Sequence, residues 1–397
     1  MGESVNGKMP RVMGAVIAGL MYLAAGAAGA ETIRVAVVEK AKEVRLSSSG
    51  PLRFLDTKGA SLALNSGRQT SVRAQGGGLA VGDQPVGRSV RLRSSGESLA
   101  VDGVSYPGEI EIRAAPGGLL QVVNHVDIET YVAGVVPREV PAAWDIEVLK
   151  AQAVLARTYA LSLRQRSAGQ AFHIGAGVDH QAYSGESALH PKVQEAVRST
   201  RGEVLAFQGE LAEAVYHAYC GGVTENAADV WGRSFPYLQS VRSECRLGDT
   251  PPTWTYHVEA NDLARRLRAA GVVFSGAVTA VEPADLSQTG RIRTVRVRTS
   301  EGPREMRGID FRKAVGPDLI KSTRFTIEPE GGGFRFAGLG SGHGVGLCQH
   351  GARAMADGKA GYREILARYF PGTAVTPWSK VKRNGNVRMT RQAVPHD

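Results

Sequence analysis

One segment, from Asp145 to about Leu163, constrains the fold of this chain more than any other part of the sequence. Asp145 is a helix-capping residue, and apolar side chains follow it at spacings of four and three: Leu149, Ala153, Ala156, Ala160 and Leu163. The pattern predicts a long helix with one buried face, against which neighbouring elements pack closely because most of the side chains are alanine. A shorter helix is predicted to begin after a second cap, Asp127.

An acidic residue, Glu139, precedes the long helix in a segment that we predict to be a loop between the two helices. Pro137 and Pro141 flank it, and proline stiffens a backbone by fixing φ. Apolar neighbours would desolvate the carboxyl and raise its pKa towards neutrality. Spacing alone leaves two interpretations open: a general acid/base, or a surface carboxylate paired with Arg138 or Arg157.

The remainder of the chain mixes strands and helices. From Thr32 to about Val123, short runs of alternating apolar and polar residues lie between turns rich in glycine and serine, which is typical of a small all-β module. We interpret this module as a spacer or accessory unit. Later elements interleave without a regular repeat: predicted strands near 203–207, 212–219 and 291–299, and predicted helices near 262–269, 352–356 and 362–369. We therefore expect an α+β fold, with a mostly-β module at 31–123 and a second region at 124–376.

Both ends of the chain carry signals of their own. Residues 1–30 combine a basic start, an apolar run and the small residues Ala28-Gly29-Ala30, which predicts a cleaved secretory signal peptide. A retained membrane anchor is the alternative, although the run is short for a span. The last segment, 377–397, is basic and lacks periodicity, so we expect a disordered tail.

The net charge indicates which partners the protein would bind, and the cysteines indicate a possible disulfide. There are 48 Lys and Arg against 38 Asp and Glu, a net charge of +10. A basic exported protein favours polyanionic surroundings such as cell-wall polymers, and no motif that reads nucleic acid occurs, so nucleic acid is not an expected partner. We expect no stable membrane insertion after signal cleavage, and a secreted protein in the periplasm or cell-wall space. Of the cysteines, Cys220 and Cys245 are the expected disulfide pair, and free buried thiols are the alternative.

Two later motifs contain candidate binding residues. His217 precedes the pair Gly221-Gly222, which allows a backbone to approach a ligand closely, and Trp231 is suited to stacking on a sugar ring. His343 lies between glycines shortly before Gln349. Each of these residues also has a purely structural interpretation. The histidines would lie in turns with their hydrogen bonds made within the protein, and Trp231 would pack in the core. No strand–helix unit surrounds these glycines, which excludes nucleotide binding.

Several long motifs, in the same order, resemble the SpoIID (stage II sporulation protein D) family. The motifs are GVVPREV at 134–140, KAQAVLARTYA at 150–160, HQAYSG at 180–185, AVYHAYCGGVTENAADVWG at 214–232, PYLQSV at 236–241, GHGVGLCQHGARAMA at 342–356 and YREILARYFPGT at 362–373. The resemblance covers about Asn124 to Thr373. It includes the LytB-like amidase enhancers, which share these motifs, so it leaves an enzyme and a modifier of an enzyme both open.

The resemblance implies a peptidoglycan lytic transglycosylase that acts on glycan strands stripped of stem peptides, with Glu139 as its catalytic acid/base. It implies that the polar residues of the matching motifs, with the candidates above, bind substrate: Arg157, Gln152, Tyr159, Gln181, Tyr183, His217, Trp231, His343 and Gln349. The alternative is a non-catalytic wall-binding protein that enhances a partner amidase.

The resemblance also bears on metals. Some members of the family hold a structural zinc ion with a histidine and two cysteines ahead of the glutamine that matches Gln181. Both cysteines are missing here, and only His173, Asp179 and His180 remain as weak candidate ligands. We therefore expect no cofactor.

Overall fold

The computed structural model describes residues 31–64, 67–93, 99–177, 181–188, 190–245 and 253–382. The predicted signal peptide at 1–30 and the predicted tail from 383 onward lie outside these ranges. The described residues form both helices and strands, with eleven strands before the first helix, which confirms the α+β class. None of the described helices has both the length and the apolarity that a membrane crossing requires.

The first part of the chain builds most of two six-stranded sheets. Its strands are β1 (Thr32–Ala41), β2 (Glu43–Ser48), β3 (Phe54–Leu55), β4 (Gln69–Gln75), β5 (Gly78–Val81), β6 (Gln84–Gly87), β7 (Ser89–Arg93), β8 (Leu99–Val101), β9 (Val104–Tyr106), β10 (Glu109–Ala115) and β11 (Leu119–Asp127). One sheet has the order β6-β5-β4-β2-β8-β9. In the other, β12 (Ile174–Gly175) extends the order β1-β11-β10-β7-β3 at the β1 edge. The predicted alternation is confirmed, since Ile33, Val35, Ile110 and Ile112 are all fully buried.

Two capped helices follow the strands. Helix α1 (Ile128–Glu139) begins where the Asp127 side chain accepts hydrogen bonds from two backbone N–H groups. Helix α2 (Ile146–Arg166) begins at Asp145, whose side chain accepts one, from the Glu147 N–H. Both predicted caps are confirmed. Helix α2 is more buried than its pattern predicted: every residue from Val148 to Leu163 except Lys150 is buried. A helix buried all round must be surrounded by other elements.

The rest of the described chain supplies those elements. They are α3 (Pro191–Ser199), β13 (Glu203–Phe207), β14 (Glu210–Leu211), β15 (Tyr216–His217), α4 (Ala227–Trp231), β16 (Thr253–Glu259), α5 (Ala260–Ala269), β17 (Val278–Leu286), β18 (Ile292–Thr299), β19 (Gly302–Arg307), α6 (Gly308–Val315), β20 (Phe325–Glu330), β21 (Gly333–Leu339), β22 (Leu347–Cys348), α7 (Gln349–Asp357), α8 (Tyr362–Tyr369) and β23 (Ala374–Pro377). Helices α1, α3, α7 and α8 and strand β13 all contact α2.

Most of the later predicted elements are confirmed within a few residues, but one strand is much shorter than predicted. The predicted strand at 212–219 reduces to β15, although Ala212, Ala214 and Val215 are buried. Their apolar character reflects burial in the core rather than strand pairing, two causes that a short apolar run does not distinguish.

Residues 253–339 form a unit with its own apolar core. Two three-stranded sheets, β16-β21-β20 and β17-β18-β19, pack with α5 and α6 around Trp254, Leu263, Val295, Phe311 and Phe336. The predicted region at 124–376 therefore contains a unit whose boundaries its sequence pattern does not mark.

The predicted tail begins too early. Trp378 is buried and its backbone N–H donates to the Gly202 carbonyl at 2.8 Å, and the Lys382 N–H donates to the Gly209 carbonyl at 2.8 Å. The side chains of Trp378 and Val381 join the main apolar core, which holds these residues in place.

The N-terminal strands share this main core with α1 and α2. Strand β1 lies between β11 and β12, and the core that contains Ile33 and Val35 also contains Val135 and Leu149. Removing the strands would therefore uncover apolar faces of both helices.

We predict that a fragment spanning 124–397 melts at a lower temperature than a fragment spanning 31–397, because the apolar faces of α1 and α2 lose their cover. Circular dichroism melts of this fragment and of a fragment spanning 31–397 test the expectation. A 124–397 fragment that melts cooperatively at the same midpoint as 31–397 would contradict it.

Candidate active site

Glu139 is the last residue of α1 rather than part of a loop. Helix α1 continues through Pro137, and the Val140 N–H closes its end on the Val136 carbonyl at 3.0 Å. Proline normally disfavours a helical residue before it. Here Val135 and Val136 are fully buried, and that burial outweighs the local preference. The expected stiffness of the segment is therefore supplied by a helix end anchored in the core.

The surroundings of Glu139 favour its protonated form. Burial raises the pKa of the carboxyl to about 7, against the smaller opposing effects of a hydrogen bond from the Ala182 N–H, a hydrogen bond from Tyr216 and the charge of Arg138. The Ala182 N–H lies 3.2 Å from Oε1. The residue is not fully enclosed, since part of its surface is exposed. A carboxyl that titrates near neutrality and is reachable from solvent is suited to proton transfer.

A chain of hydrogen bonds positions the groups around this carboxyl. The Tyr131 hydroxyl donates to Oε1 of Gln181 at 3.1 Å, and the Gln181 Nε2 donates to the Tyr216 hydroxyl at 3.3 Å. The Tyr216 hydroxyl in turn hydrogen-bonds Glu139. Burial raises the pKa of both tyrosines well above its usual range, so both stay neutral donors.

Sequence reasoning found Gln181 but missed Tyr131 and Tyr216. Tyr131 lies three residues before the GVVPREV motif, and Tyr216 lies inside a motif, next to His217. An aromatic residue within an apolar run is usually a packing residue, so the pattern alone gave no reason to assign a polar role to either.

Arg157 is not part of this site, which corrects its prediction as a substrate-binding residue. The side chain is fully buried and forms two hydrogen bonds with the Glu129 carboxylate, from Nε at 3.0 Å and from Nη2 at 2.6 Å. Its Nη1 donates to the Glu203 carbonyl at 2.9 Å. Sequence distance misled here, because Glu129 lies on the same helix as Glu139 but nearly three turns earlier.

Three other candidates are buried against protein partners. Gln152 accepts a hydrogen bond from Gln349 at 3.4 Å, and both side chains are buried. Tyr159 is also buried; burial is the main cause of the rise in its pKa, and Glu139 contributes a smaller effect. Tyr159 thus lies near Glu139, and its predicted substrate-binding role stays a prediction. The hydrogen bond described for Gln152 and Gln349 joins them to each other rather than to the Glu139 carboxyl.

Tyr183 supports the segment that holds Gln181 and Ala182. Its hydroxyl donates to Oδ1 of Asn124 at 2.9 Å, and its ring lies 5.1 Å from that of Tyr131. A Cβ atom at Gly134 would approach this ring to 2.8 Å, which explains the glycine at the start of GVVPREV. These contacts give Tyr183 a packing role, and its predicted substrate-binding role stays a prediction.

His217, His343 and Trp231 form a cluster of rings. His343 lies 5.5 Å from His217 and 5.0 Å from Trp231, measured between ring centroids. Both histidines are buried, and burial lowers the pKa of His343 to about 3, so it is neutral. The half-buried Trp231 is the most accessible of the three. A Cβ atom at Gly344 would approach Nε of Arg291 to 2.8 Å, so the glycines around His343 serve close packing.

Of the three weak metal candidates, the structure describes only His173. Both ring nitrogens of His173 face donors of Arg34, at 3.1 Å and 3.0 Å, and burial lowers the pKa of His173 to about 4. Asp179 and His180 lie outside the described residues. The potential metal ligands that do converge within the described ranges are His217, Cys220 and Cys348.

The predicted Cys220–Cys245 disulfide is not formed in this structure. The two sulfur atoms are neighbours, 3.2 Å apart, but a disulfide bond is about 2.05 Å long, and all three cysteines are buried free thiols. The proximity of the pair was predicted correctly, and its covalent state stays a prediction.

Comparisons with known proteins agree with this architecture. A family model described as "Stage II sporulation protein" (SpoIID) matches residues 117–207, which contain α1, α2 and the Gln181 segment. A second model, described as "Domain of unknown function (DUF8618)", matches residues 251–346, which correspond to the unit with its own core.

Three relatives extend the likeness over most of the chain. An uncharacterised protein of Brachyspira hyodysenteriae is 31% identical over 307 residues, 77% of this chain and 82% of that protein. Stage II sporulation protein D of Bacillus amyloliquefaciens is 29% identical over 271 residues, 64% of this chain and 75% of that protein. The amidase enhancer of Bacillus subtilis is 27% identical over 341 residues, 74% of this chain but only 47% of that protein, so the chain spans about half its length. The chain belongs to the SpoIID family.

We predict that Arg157→Met lowers the free energy of unfolding by about 3–5 kcal/mol, because it leaves the Glu129 carboxylate without its charged partner. Arg198→Met is the matched control: its partner Glu195 is exposed, and the loss should stay below about 1 kcal/mol. Urea unfolding of both variants measures the difference. An Arg157 variant with unchanged stability would contradict the structural role.

Proposed function

We propose that this protein is a peptidoglycan lytic transglycosylase that cleaves the bond between MurNAc and GlcNAc, with Glu139 as the single general acid/base. The observation that carries the proposal is the combination of burial, partial access and hydrogen bonding that brings the pKa of Glu139 to about 7. Membership of the SpoIID family supports the choice of cell-wall glycan as the substrate class. The proposed substrate is a glycan strand stripped of its stem peptides.

The reaction needs one carboxyl that acts twice. Protonated Glu139 gives its proton to the glycosidic oxygen as the bond to C1 of MurNAc breaks. The resulting carboxylate then takes the proton of the C6 hydroxyl as that oxygen bonds to C1, which closes the 1,6-anhydro ring and restores the acid. No water is consumed, so no second carboxylate is required to activate one. A pKa near neutrality suits a group that must both donate and accept.

The neighbouring groups have supporting roles in this proposal. The Ala182 N–H fixes the orientation of the carboxyl through Oε1, and the Tyr216 hydroxyl stabilises its ionised form midway through the reaction. Gln181 holds the Tyr216 hydroxyl in place. The net positive charge of the chain favours approach to anionic wall polymers. The proposed activity lies outside the cytoplasmic membrane, where the predicted signal peptide would direct the chain.

We predict that Glu139→Gln reduces cleavage by about 10²–10⁴-fold, because glutamine keeps the shape of the side chain but cannot give and retrieve a proton. Mass spectrometry of peptide-stripped glycan digested by each protein would count 1,6-anhydro-MurNAc ends. Wild-type activity should fall as the pH rises through about 7, since the raised pKa means that the acid form is lost there.

Glu195→Gln is the control for this experiment, because it makes the same chemical change at an exposed position on α3. It should keep wild-type turnover. A folded Glu139→Gln protein that retains more than about a tenth of the activity would exclude Glu139 as the acid/base.

We further predict that Tyr216→Phe moves the alkaline limb of the kcat/KM profile upward by about one pH unit. The lost hydrogen bond stabilises the ionised carboxyl, so its removal raises the pKa of Glu139 and keeps the acid protonated to higher pH. Tyr362→Phe is the control, because it removes the same kind of hydrogen bond, from a tyrosine hydroxyl to the carboxylate of Glu203 at 2.9 Å, without affecting Glu139. Its alkaline limb should not move. An alkaline limb that does not move in Tyr216→Phe would mean that this hydroxyl does not act on Glu139.

One observation favours a second candidate function, enhancement of a cell-wall amidase: a relative 27% identical to this chain is named an amidase enhancer. The two candidates give different products. The enhancer leaves no anhydro ends when it acts alone, and its Glu139→Gln variant still stimulates a partner amidase.

A further inference from the structure

Three cysteines from separate parts of the sequence meet in the core beside β15. Cys220 follows β15, Cys348 ends β22, and Cys245 lies in the segment before β16. All three are buried free thiols. The Cys220 and Cys245 sulfurs are 3.2 Å apart, and the Cys220 backbone N–H donates to the Cys348 sulfur at 3.3 Å.

His217 adds an imidazole to this cluster. Strands β15 and β22 pair in parallel, and the pairing sets His217 beside Cys348. One imidazole nitrogen and the sulfurs of Cys220 and Cys348 lie within 4.8 Å of one another. Nδ1 of His217 is 3.0 Å from the Val345 carbonyl oxygen, an acceptor that fixes the proton on Nδ1 and keeps the lone pair on Nε2.

The backbone around the cluster is arranged for negatively charged sulfur. The Gly222 N–H donates to the Cys245 sulfur at 3.2 Å, and the Gly351 N–H, in the first turn of α7, donates to the Cys348 sulfur at 3.4 Å. The fully buried guanidinium of Arg291 donates to the Cys220 carbonyl at 2.5 Å. Three thiolates and a divalent cation leave one net negative charge, which this buried cation would balance.

We propose that Cys220, Cys245, Cys348 and His217 bind a zinc ion as a closed structural site. Three sulfurs and one imidazole nitrogen are a ligand set that zinc takes in tetrahedral geometry. Zinc–sulfur bonds of about 2.3 Å hold two sulfurs about 3.8 Å apart, so the Cys220 and Cys245 sulfurs need to separate by only about half an ångström. Dedicated N–H donors and a carbonyl acceptor for the imidazole are what such a site needs around its ligands.

The proposed zinc site and the Glu139 carboxyl contact opposite sides of strand β15. Neighbouring residues of a strand point to opposite sides, so His217 faces the sulfurs while Tyr216 faces the carboxyl. The ion would anchor the short strand β15, and with it the hydroxyl that hydrogen-bonds Glu139. The ligands do not include Glu139, so the zinc site stands independently of the proposed reaction.

The test begins with metal analysis of the full chain, purified without chelators or an affinity tag that binds metal. We expect one zinc ion per chain. Replacement by Co²⁺ should give the visible absorption bands of tetrahedral cobalt with thiolate ligands, and Zn²⁺ should abolish them. Because this measurement uses the wild-type protein, its result can be interpreted even if the ligand variants do not fold.

Variants then identify the ligands. Cys245→Ser and Cys348→Ser should each weaken Zn²⁺ binding by at least about tenfold. Thr200→Ala is the matched control, because it removes a buried hydroxyl at the end of α3, hydrogen-bonded to the Ala196 carbonyl at 2.9 Å, without touching a ligand. Glu139→Gln should also keep its zinc, so a failed transglycosylase assay leaves this result intact.

Two outcomes would overturn the proposal. One is a metal-free protein with a single reactive thiol after denaturation without reductant, which would mean that Cys220 and Cys245 form a disulfide instead. The other is a protein with three reactive thiols that binds neither Zn²⁺ nor Co²⁺.

Discussion

The buried ion pair between Arg157 and Glu129 joins the segments on which the candidate site depends. Arg157 lies on α2 and Glu129 on the first turn of α1, and the same carboxylate accepts a hydrogen bond from the Gly202 N–H at 3.0 Å. Burying two charges costs several kcal/mol per ion, and geometry this complete is what offsets the cost. The pair fixes α1 against α2, and the end of α1 is where Glu139 lies.

The buried surroundings of Glu139 determine both its pKa and its effect on the stability of the fold. Its folded pKa of about 7 lies above the unfolded value of about 4.3, so folding favours the protonated form. The stability that this preference contributes is complete below the unfolded pKa and is lost as the pH rises through about 7. After a discount for the exposed part of the side chain, the loss is on the order of 1–3 kcal/mol. The Glu139 carboxyl thus remains partly protonated at neutral pH, and it contributes less to the stability of the fold there than at low pH.

The unit at 253–339 contributes to the site from outside the helices. Arg291 precedes β18 and reaches the carbonyls of Cys220 and Val223, and Arg324 reaches the Gly221 carbonyl at 2.9 Å. These contacts hold the turn that follows β15, so a unit with a separate apolar core stabilises the strand that presents Tyr216. The buried Arg291 suits this role because one guanidinium can bond several carbonyls at once.

The sequence by itself determined the α+β class and the capped helices after Asp127 and Asp145, because caps and helical spacing are local signals, and its motifs selected Glu139 as the candidate acid/base. The same motifs identified Gln181 and Tyr159 as candidate site residues. Tertiary structure decided what those signals could not: that α1 runs through Pro137, that Arg157 pairs with Glu129, and that Tyr216 reaches Glu139. It also decided that Cys220 and Cys348 meet His217 and that Cys245 lies beside Cys220. Partners far apart in sequence are chosen by packing, and spacing along the chain carries no record of which buried groups will face each other.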